Sequence, residues 1–596
     1  MKIKLLCLLI IIMNCISCND DDITPSTIPS DLTDMAYSGS LFMDYEKNGD
    51  RYKLLFETGT IEMSDNTISE INIDKDNWKS TIYFNDGSKF ELPTLGNTLT
   101  NIVKKVTLNP SGFCPLAVEL QLSFPVPGRV KAIVEGKNGD QGDISYLFHE
   151  NASNQVINVL GLYQDYANKI TIVLTDKDGK ERARTVQEVT TEPFTFHALK
   201  ISLDKAVPQE MEEGLTLVSY LGVSEFDTYC PFMLDADGEL RWVLDFKKHP
   251  DIPNISAHTG FQRMKNGNYL GGDIKTGRII ELDVLGNVKN SWDLNALGYE
   301  YHHEVIEMPN ENFLVLASGK NSKLETGQLS VSDIIIELNR KTGAIVTVWD
   351  LKKSLDETHR SLIDESDWDP ADWAHNNAVL YSEDDDCIVV STRFQGLMKL
   401  DRNNNIKWLL APHKGWDKKG LAGALLTPLD ASGNKITDNK VKSGEITHSD
   451  FEWSWGGHSP RFLPNGNILM FDNGYYRNYQ TGYVENFFDP ELYSRSVEYK
   501  INESSKTVQQ VWQYGKERKR ECWAIAVSST QYLSGKDHVL FCPGIGTINK
   551  GGMGGKVIEV NKATNQVVYE VSLTAPTVLV FHRAIRLPLY PNNYQN

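Results

Sequence analysis

The sequence predicts an all-β protein in which an immunoglobulin-like β-sandwich precedes a six-bladed β-propeller. In the first third of the chain, short alternating segments such as residues 51–57 and 80–84 are separated by turn signals such as Asn85-Asp86-Gly87, a pattern typical of β-hairpins. After about residue 210 the pattern becomes a repeat, in which an apolar strand leads to Leu-Asp or a related pair, a polar turn and a Trp-containing strand. A second kind of hairpin lies between the copies, and two hairpins make one four-stranded blade.

This outer hairpin occurs six times, although the last copy lacks the aromatic residue. The copies run from Leu234-Asp235 to Trp242, Leu282-Asp283 to Trp292, Leu338-Asn339 to Trp349, Leu400-Asp401 to Trp408, Ile501-Asn502 to Trp512, and Val560-Asn561 to Val571. We interpret the tryptophans as residues that pack the blades. The longest interval, between Asp401 and Asn502, contains an insertion at about residues 412–455, and insertions in propellers tend to be functional loops.

The pattern along the chain divides it into five segments. Apolar runs at residues 117–124, 129–134 and 169–174 lie between Pro and Gly turns, which predicts the strands of a β-sandwich. The five segments are a lipoprotein signal peptide at 1–17, an acidic and polar tether at 18–45, a small β module of unknown role at 46–100, the β-sandwich at 101–205 and the propeller at 206–596.

The N-terminus resembles the export signal of a bacterial lipoprotein. Two lysines precede an apolar run at residues 5–13 that is too short to span a bilayer, and Cys15-Ile16-Ser17-Cys18 resembles a lipoprotein cleavage box. Cys18 would then carry the lipid that anchors the protein to a membrane. This predicts an exported lipoprotein of a Gram-negative bacterium, in the outer membrane on its periplasmic face or at the cell surface. A plain signal peptide or a weak membrane anchor is the alternative.

The overall charge excludes some partners. The chain of 596 residues carries 60 basic and 79 acidic side chains, a net charge of −19, and no Lys/Arg cluster offsets that balance. Nucleic acid is therefore not expected as a partner. Any anionic substrate must be held by locally placed cations. The cysteines beyond Cys18 are odd in number and show no metal-binding spacing, so we assign them no role in the chemistry; they are Cys114, Cys230, Cys387, Cys522 and Cys542.

Histidines recur at the start of the predicted innermost strand of several blades. They lie 10 to 12 residues before the first residue that follows the inner hairpin turn, at His258, His303, His375 and His458, and the matching position of the next repeat is Ser528. Because the blades are arranged radially, these side chains should converge at one rim of the central channel. His302 is adjacent to His303, and strand alternation allows only one of the two to face the channel; we favour His303.

An arginine is expected at the same rim. Arg393 follows Cys387 by six residues on the strand that returns beside the strand of His375. Imidazoles near a guanidinium suit two chemistries. Three histidines and a water can hold a catalytic zinc ion. Alternatively, arginine can bind two oxygens of a tetrahedral sulfate or phosphate while one histidine attacks. The sequence contains neither the Cys-x-Pro-x-Arg motif of formylglycine sulfatases nor a Gly-x-x-x-x-Gly-Lys-Ser/Thr phosphate loop.

Several motifs from about residue 105 to the end resemble the PAPS-independent aryl-sulfate sulfotransferase family. In the N-terminal part they are Asn109-Pro110-Ser111-Gly112 and Leu160-Gly161-Leu162-Tyr163-Gln164-Asp165-Tyr166. In the propeller they are His302-His303-Glu304, Asp372-Trp373-Ala374-His375-Asn376-Asn377, Ser391-Thr392-Arg393-Phe394-Gln395, Trp453-Ser454-Trp455-Gly456-Gly457-His458 and Phe471-Asp472-Asn473-Gly474.

The resemblance implies a ping-pong transferase that moves a sulfuryl group from a phenolic sulfate donor to a phenol acceptor through a sulfohistidine. It places the nucleophile at His458, the sulfate-binding arginine at Arg393, and supporting histidines at His375 and His303. Asn377 matches a supporting asparagine. With His258, Ser528 and His302, it makes up the expected substrate-binding set. No nucleotide, metal or other cofactor is implied, and the oligomeric state stays open, a homodimer included.

The resemblance leaves alternatives open. The family's disulfide in the insertion before the nucleophile has no counterpart here, since residues 443–452 contain no cysteine, so this loop must be ordered differently. An aryl sulfate hydrolase could use the same residues with water in place of the phenol. A non-catalytic surface propeller that binds sulfated ligands, or a metal-dependent channel, would also fit the histidines.

The attack by His458 should depend on pH. If the imidazole of His458 has an ordinary pKa, its protonation below roughly pH 6 should slow the attack.

Overall fold

The computed structural model describes residues 28–222, 229–253, 255, 260–359, 367–416, 418–480, 483–592 and 594. Within these ranges the chain forms 39 strands, three short α-helices and four 3-10 helices, which confirms the all-β prediction. The 3-10 helices are Asp140–Gly142, Asn295–Leu297, Lys418–Ala424 and Lys516–Cys522. No helix in the described ranges combines the length and apolar character needed to cross a membrane. The signal segment, Cys18 and His258 lie outside the described residues.

The first module consists of one helix and two three-stranded sheets. Helix α1 (Ser30–Tyr37) follows Pro29 and buries Leu32 completely against the two sheets. The expectation of an acidic and polar tether over residues 18–45 is therefore wrong from Ser30 onward, because an apolar helix face packs there. The strands are Phe42–Asn48 (β1), Arg51–Phe56 (β2), Gly59–Ser64 (β3), Ile68–Asp74 (β4), Lys79–Phe84 (β5) and Lys89–Pro93 (β6). The turn at Asn85-Asp86-Gly87 joins β5 to β6, as predicted.

The second unit is an antiparallel sandwich built around one long strand. Its strands are Val103–Leu108 (β7), Ala117–Val134 (β8), Ile144–Leu147 (β9), Ala152–Leu160 (β10), Ala167–Thr175 (β11) and Glu181–Thr190 (β12). The first half of β8 pairs with β7 and β10, and its second half pairs with β9 and β11, so β8 contributes to both faces. Arg182 on β12 donates two hydrogen bonds to the Glu57 carboxylate, at 3.1 and 2.7 Å, which ties the sandwich to the first module.

Six further sheets follow, each with at least four strands among the described residues. Their strands in the first half are Lys200–Ala206 (β13), Leu215–Tyr220 (β14), Cys230–Leu234 (β15), Leu240–Val243 (β16), Gln262–Arg263 (β17), Tyr269–Asp273 (β18), Arg278–Leu282 (β19), Val288–Asp293 (β20), Tyr299–Glu307 (β21), Phe313–Gly319 (β22), Ile334–Leu338 (β23) and Ile345–Asp350 (β24), which leads into helix α2 (Leu351–Ser354).

The second half continues the same pattern of antiparallel hairpins. Its elements are Asn376–Ser382 (β25), Cys387–Thr392 (β26), Gly396–Leu400 (β27), Ile406–Leu410 (β28), Thr427–Leu429 (β29), helix α3 (Asn439–Lys442), His458–Phe462 (β30), Ile468–Asp472 (β31), Arg495–Asn502 (β32), Thr507–Tyr514 (β33), Ser529–Leu533 (β34), His538–Cys542 (β35), Thr547–Asn549 (β36), Gly552–Asn561 (β37), Val567–Thr574 (β38) and Phe581–Leu587 (β39).

Strands from opposite ends of the propeller region share two of these sheets. The C-terminal β39 pairs with β14 in the sheet β16-β15-β14-β39, and β13 pairs with β38 in the sheet that contains β34 to β38. Five sheets each have one edge strand on the inner side, and these edge strands contact one another in the order β21, β25, β30, β34 and β39. This organisation is propeller-like, and it places the N-terminal ends of the inner strands around one channel.

The repeated tryptophans connect each sheet to the next one, as the sequence predicted. The indole Nε1 of each donates a hydrogen bond of 2.8 to 3.0 Å to the neighbouring outer turn. The donor and acceptor pairs are Trp242 with Val284 O, Trp292 with Arg340 O, Trp349 with Asp401 O, Trp408 with Glu503 Oε1 and Trp512 with Lys562 O. The repeat is therefore a device for sheet packing.

The insertion at about residues 412–455 is ordered by pairing and by charge. Its strand β29 pairs in parallel with β33, and so extends the outer edge of that sheet. At its end the Glu452 carboxylate lies 3.0 Å from the guanidinium of Arg495, a side chain with no solvent exposure. Arg495 also lies 2.8 Å from Asp472. The five described cysteines are buried, and none forms a disulfide. Ionic contacts of Arg495 with Glu452 and Asp472 hold the end of the insertion.

Candidate active site

Three histidines from adjacent inner strands meet at the rim of the channel. His303 lies in β21, His375 immediately precedes β25, and His458 begins β30. The Nε2 atoms of His303 and His375 are 3.0 Å apart, and the rings of His303 and His458 are 6.5 Å apart between centroids. All three are largely buried. The structure therefore brings together the three histidines that the repeat spacing singled out within its described part.

Strained backbone marks the same positions. His303 and His375 both have φ near 53°, and Ser459 and Ser528 have φ of 50° and 81°. Non-glycine residues seldom adopt this left-handed region, and where they do the strain is commonly held at functional sites. Four inner strands thus share a left-handed residue at the channel rim. This agrees with the predicted equivalence of Ser528 to the histidine positions, although the left-handed residue of β30 is the one after His458.

His302 lies in the cluster together with His303. Their ring centroids are 4.0 Å apart, and the His302 ring lies 5.2 Å from that of His375. The expectation that only one of the two histidines could face the channel is therefore wrong. The left-handed backbone at His303 and the register shift between Tyr301 and Val305 break the alternation of side chains along β21.

A further histidine at this rim was missed by the sequence analysis. His582 lies in β39, is 3% exposed, and has its ring centroid 5.5 Å from that of His303. Its strand pairs with β14, more than 350 residues earlier in the chain. The hairpin spacing that revealed the other histidines cannot reveal this one, because its partner strand is not its neighbour in sequence.

Arg393 lies where the strand geometry predicted. Its backbone N donates a 2.9 Å hydrogen bond to the carbonyl of His375. Its guanidinium carbon lies 4.8 Å from the centroid of the Tyr475 ring, a cation–π distance. The charge of Arg393 also lowers the pKa of His458, so the two side chains are electrostatic neighbours. The arginine can therefore meet an anion that contacts His458.

His458 is held as one tautomer by two acceptors. Its Nδ1 lies 2.8 Å from Asn473 Oδ1 and 2.9 Å from Gly456 O. A carbonyl and an amide oxygen can only accept, so Nδ1 carries the proton and Nε2 keeps its lone pair. Burial, reinforced by the charge of Arg393, lowers the pKa of His458 to about 3. The expected loss of the neutral form below roughly pH 6 is therefore wrong.

The orientation of Asn473 follows from its other contacts. Its Nδ2 donates to Ala524 O at 2.8 Å and to Val527 O at 3.2 Å, which turns Oδ1 toward His458. The preceding residue, Asp472, accepts from the backbone of Trp455 at 2.8 Å. The motif Phe471-Asp472-Asn473-Gly474 thus fixes both the loop before His458 and the ring itself.

A carboxylate supports His375. The Nδ1 of His375 lies 2.5 Å from Asp372 Oδ2. Burial opposes ionisation of Asp372, but the charge of His375 and this hydrogen bond lower the pKa of the carboxyl group. His375 Nδ1 is then the donor to Asp372, and Nε2 on the other side of the ring lies against His303. Burial, with the neighbouring histidines, holds the pKa of His303 well below its usual value, so His303 is neutral and can donate from Nε2 to His375.

The remaining predicted residues contact the backbone. Asn377 Nδ2 donates to Gly457 O at 2.9 Å, and Ser391 Oγ donates to the same oxygen at 2.9 Å, so both fix the peptide before His458. Ser528 Oγ donates to Ala526 O and accepts from Gly544 N, each at 3.0 Å. These contacts favour positioning over direct substrate binding for Asn377 and Ser528.

The cluster also has the composition of a metal site. One ring nitrogen from each of His302, His303 and His375 can be chosen so that the three lie within 4.8 Å of one another. The Asp372 carboxylate contacts the far nitrogen of His375, as carboxylates do that orient many metal-bound histidines. The geometry alone therefore fits either a metal ion or an oxyanion.

Comparison with known families identifies the family of this protein and the kind of enzyme it is. The model described as "Arylsulfotransferase (ASST)" matches residues 200–581, which is more than half of the chain. The chain belongs to the arylsulfotransferase family. A second model, "Arylsulfotransferase Ig-like domain", matches residues 105–192, which supports the immunoglobulin-like assignment of the sandwich. The expectation of an arylsulfotransferase enzyme is confirmed at this level.

Curated relatives extend the likeness over most of the chain. It is 28% identical over 550 residues to the arylsulfate sulfotransferase AssT of Lelliottia amnigena, covering 78% of this chain and 90% of that protein. The arylsulfate sulfotransferase AssT of Escherichia coli O6:H1 is 28% identical over 548 residues with the same coverage. A virginiamycin B lyase from Staphylococcus aureus is similar in structure, with a TM-score of 0.29 and 8% identity over 64% of this chain and 98% of that one, values too low to support any inference.

Proposed function

We propose that this arylsulfotransferase moves a sulfuryl group from an aryl sulfate to a phenol by a ping-pong mechanism, with a sulfohistidine formed at His458. The observation that carries the proposal is the tautomer of His458. Its Nδ1 is bonded to Asn473 Oδ1 and Gly456 O, which leaves a neutral ring with the lone pair of Nε2 available for attack. Neutral imidazole is a good nucleophile near pH 7.

In the first half-reaction, Nε2 of His458 attacks the sulfur atom of the donor. A nitrogen–sulfur bond forms while the bond between sulfur and the aryl oxygen breaks, and the phenolate leaves. Arg393 presents paired donors to the sulfuryl oxygens. Positive charge and donors placed at a developing anion commonly lower a barrier by several kcal/mol in a buried site.

The second half-reaction requires a base for the phenol. His375 fits this role because Asp372 holds its Nδ1 as a donor, which leaves Nε2 able to accept the phenolic proton. The phenol oxygen then attacks sulfur, the nitrogen–sulfur bond breaks, and His458 returns to its neutral form. His303 lies 3.0 Å from His375 Nε2, so it can orient that nitrogen before the acceptor arrives.

A chromogenic aryl sulfate tests this function directly. We expect turnover to increase strongly when a phenol acceptor is added, with the sulfuryl group recovered on the added phenol. Equal turnover with and without phenol, with free sulfate as the product, would support the hydrolase instead. Failure to cleave any aryl sulfate would support a propeller that only binds sulfated ligands.

A metal-dependent reaction is the second candidate, because His302, His303 and His375 could share an ion. Three neutral imidazoles can bind zinc and leave an open position for water. Elemental analysis of the purified protein, combined with turnover before and after treatment with a chelator, separates the two candidates. One zinc ion per chain together with a loss of turnover after chelation would support the metal-dependent reaction. Undiminished turnover in chelated, metal-poor protein would support the sulfohistidine.

A further inference from the structure

One histidine of the rim cluster has no part in the proposed reaction. His375 is the proposed base and His303 orients it, whereas sulfuryl transfer assigns nothing to His302. The His302 ring nevertheless lies against both, with its centroid 4.0 Å from that of His303 and 5.2 Å from that of His375. Among the described residues, these three histidines form the one group whose composition and spacing suit a metal ion. The third imidazole therefore calls for a role outside the transfer itself.

The spacing of the ring nitrogens fits a single ion. With zinc–nitrogen bonds of 2.0–2.1 Å, two imidazole nitrogens on a tetrahedral ion lie about 3.3 Å apart. The Nε2 atoms of His303 and His375 are 3.0 Å apart, which is close to that distance. The third nitrogen, from His302, lies within 4.8 Å of the other two, so its ring has to approach by no more than about 1.5 Å. A water molecule would complete the four ligands.

The surroundings hold these ligands ready. The left-handed backbone at His303 directs both His302 and His303 to the rim. Asp372 Oδ2 lies 2.5 Å from Nδ1 of His375, on the side of the ring away from the ligand nitrogen, and so fixes the ring orientation. Burial also holds the pKa of His303 well below its usual value, and metal ions bind only deprotonated nitrogens. His302 and His375 are partly exposed, so an ion can reach them.

We propose that His302, His303 and His375 bind one divalent cation that prefers imidazole, such as Zn²⁺, and that the bound ion inhibits sulfuryl transfer. The inhibition rests on the proposed function, whereas the binding does not. The ion replaces the hydrogen atom between the two Nε2 atoms, and His303 keeps its proton on Nδ1. Nε2 of His375 can then no longer accept the proton of the phenol. His458 is outside the ligand group, so the ion blocks the second half-reaction and spares the first.

Titration of chelator-treated protein with Co²⁺ tests the site without turnover, because Co²⁺ prefers the same nitrogen ligands and absorbs visible light. We expect one Co²⁺ per chain, displaced by Zn²⁺. His302→Asn should weaken binding at least tenfold, since loss of a ligand costs no less than loss of a residue that orients one. His302→Cys should restore binding and add a thiolate-to-cobalt absorption band.

The matched control for this titration is His149→Asn, because His149 is an exposed histidine outside the ligand group. Its affinity for Co²⁺ should equal that of the wild type. Equal affinity in His302→Asn, together with no thiolate band in His302→Cys, would overturn the site. A wild-type protein that binds no Co²⁺ would do the same.

Kinetics separate the failure of this inference from the failure of the proposed function. Zn²⁺ should leave the burst of phenolate in place but lower steady-state turnover with phenol at least tenfold, and a chelator should restore turnover. Mg²⁺, which prefers oxygen ligands, should have no effect. Sulfohistidine formation with turnover that Zn²⁺ leaves unchanged or increases would overturn the inhibition and keep the function. His302-dependent Co²⁺ binding in a protein that cleaves no aryl sulfate would overturn the function and keep the site.

Discussion

Asn473 Oδ1 lies 2.8 Å from His458 Nδ1 and is aimed there by two bonds from its own amide group to Ala524 O and Val527 O. Asn473 thus acts like the third residue of a catalytic triad, which orients a histidine without touching the substrate. This makes Asn473 a positioning residue for the reaction. The sequence showed the motif but no reason to assign this residue a role.

Asn473→Ala should slow release of phenolate in the first half-reaction by about tenfold, with a smaller change in donor KM, because the tautomer of His458 is then held by Gly456 O alone. Stopped-flow measurement of the burst gives the rate, and ¹⁵N NMR of the histidines reports the tautomer. Asn168→Ala is the matched control, since Asn168 is a buried asparagine with comparable backbone bonds in the sandwich. A normal burst in Asn473→Ala with an unchanged Nδ1–H signal would remove the positioning role.

Arg393→Lys should lower turnover by about 10²-fold, because an ammonium group cannot reproduce the planar pair of donors at the sulfuryl oxygens. Steady-state turnover of a chromogenic donor measures the loss. Arg402→Lys serves as the control, since Arg402 pairs with Asp386 at an outer turn. Near-normal turnover of Arg393→Lys would place the arginine outside the reaction.

The burst of phenolate should persist from pH 7 down to about pH 4, since the pKa of His458 is about 3. Arg393→Gln removes a charge that lowers this pKa, so any acid limb due to His458 should move to higher pH in the variant. Single-turnover rates across this range, with the donor in excess, test both statements. A wild-type rate that titrates with a midpoint near 6.5 would show that the ring is not buried as described.

Much of this site could be predicted from the sequence because hairpin spacing is local. The rule that places a histidine at the start of an inner strand correctly brought His303, His375 and His458 together, and strand return placed Arg393 beside them. His582 could not be found this way, since it reaches the rim through a strand pair closed across the whole propeller region. The inward turn of His302 depends on a left-handed φ at His303, which no side-chain pattern signals. Helix α1 was missed because its apolar face is short.

Folding stability should also depend on the buried neutral ring. The pKa of His458 is about 3 in the folded protein, below its value near 6.5 in the unfolded chain. The contribution of His458 to the free energy of unfolding is therefore full above pH 6.5 and is lost as the pH falls toward 3. By pH 5 the loss is on the order of 2 kcal/mol. Urea unfolding of the wild type and of His458→Asn should show the smaller loss between pH 7 and 5 in the variant. His149→Asn is the control, and it should lose as much as the wild type.

The most direct test of the mechanism is intact-mass analysis after rapid mixing with an aryl sulfate in the absence of acceptor. We expect a gain of one SO₃ group per chain, located by peptide mapping on His458, which is discharged when phenol is added and is absent from His458→Asn. An adduct on His303 or His375 instead, or a His458→Asn protein that still releases phenolate in a normal burst, would contradict the account.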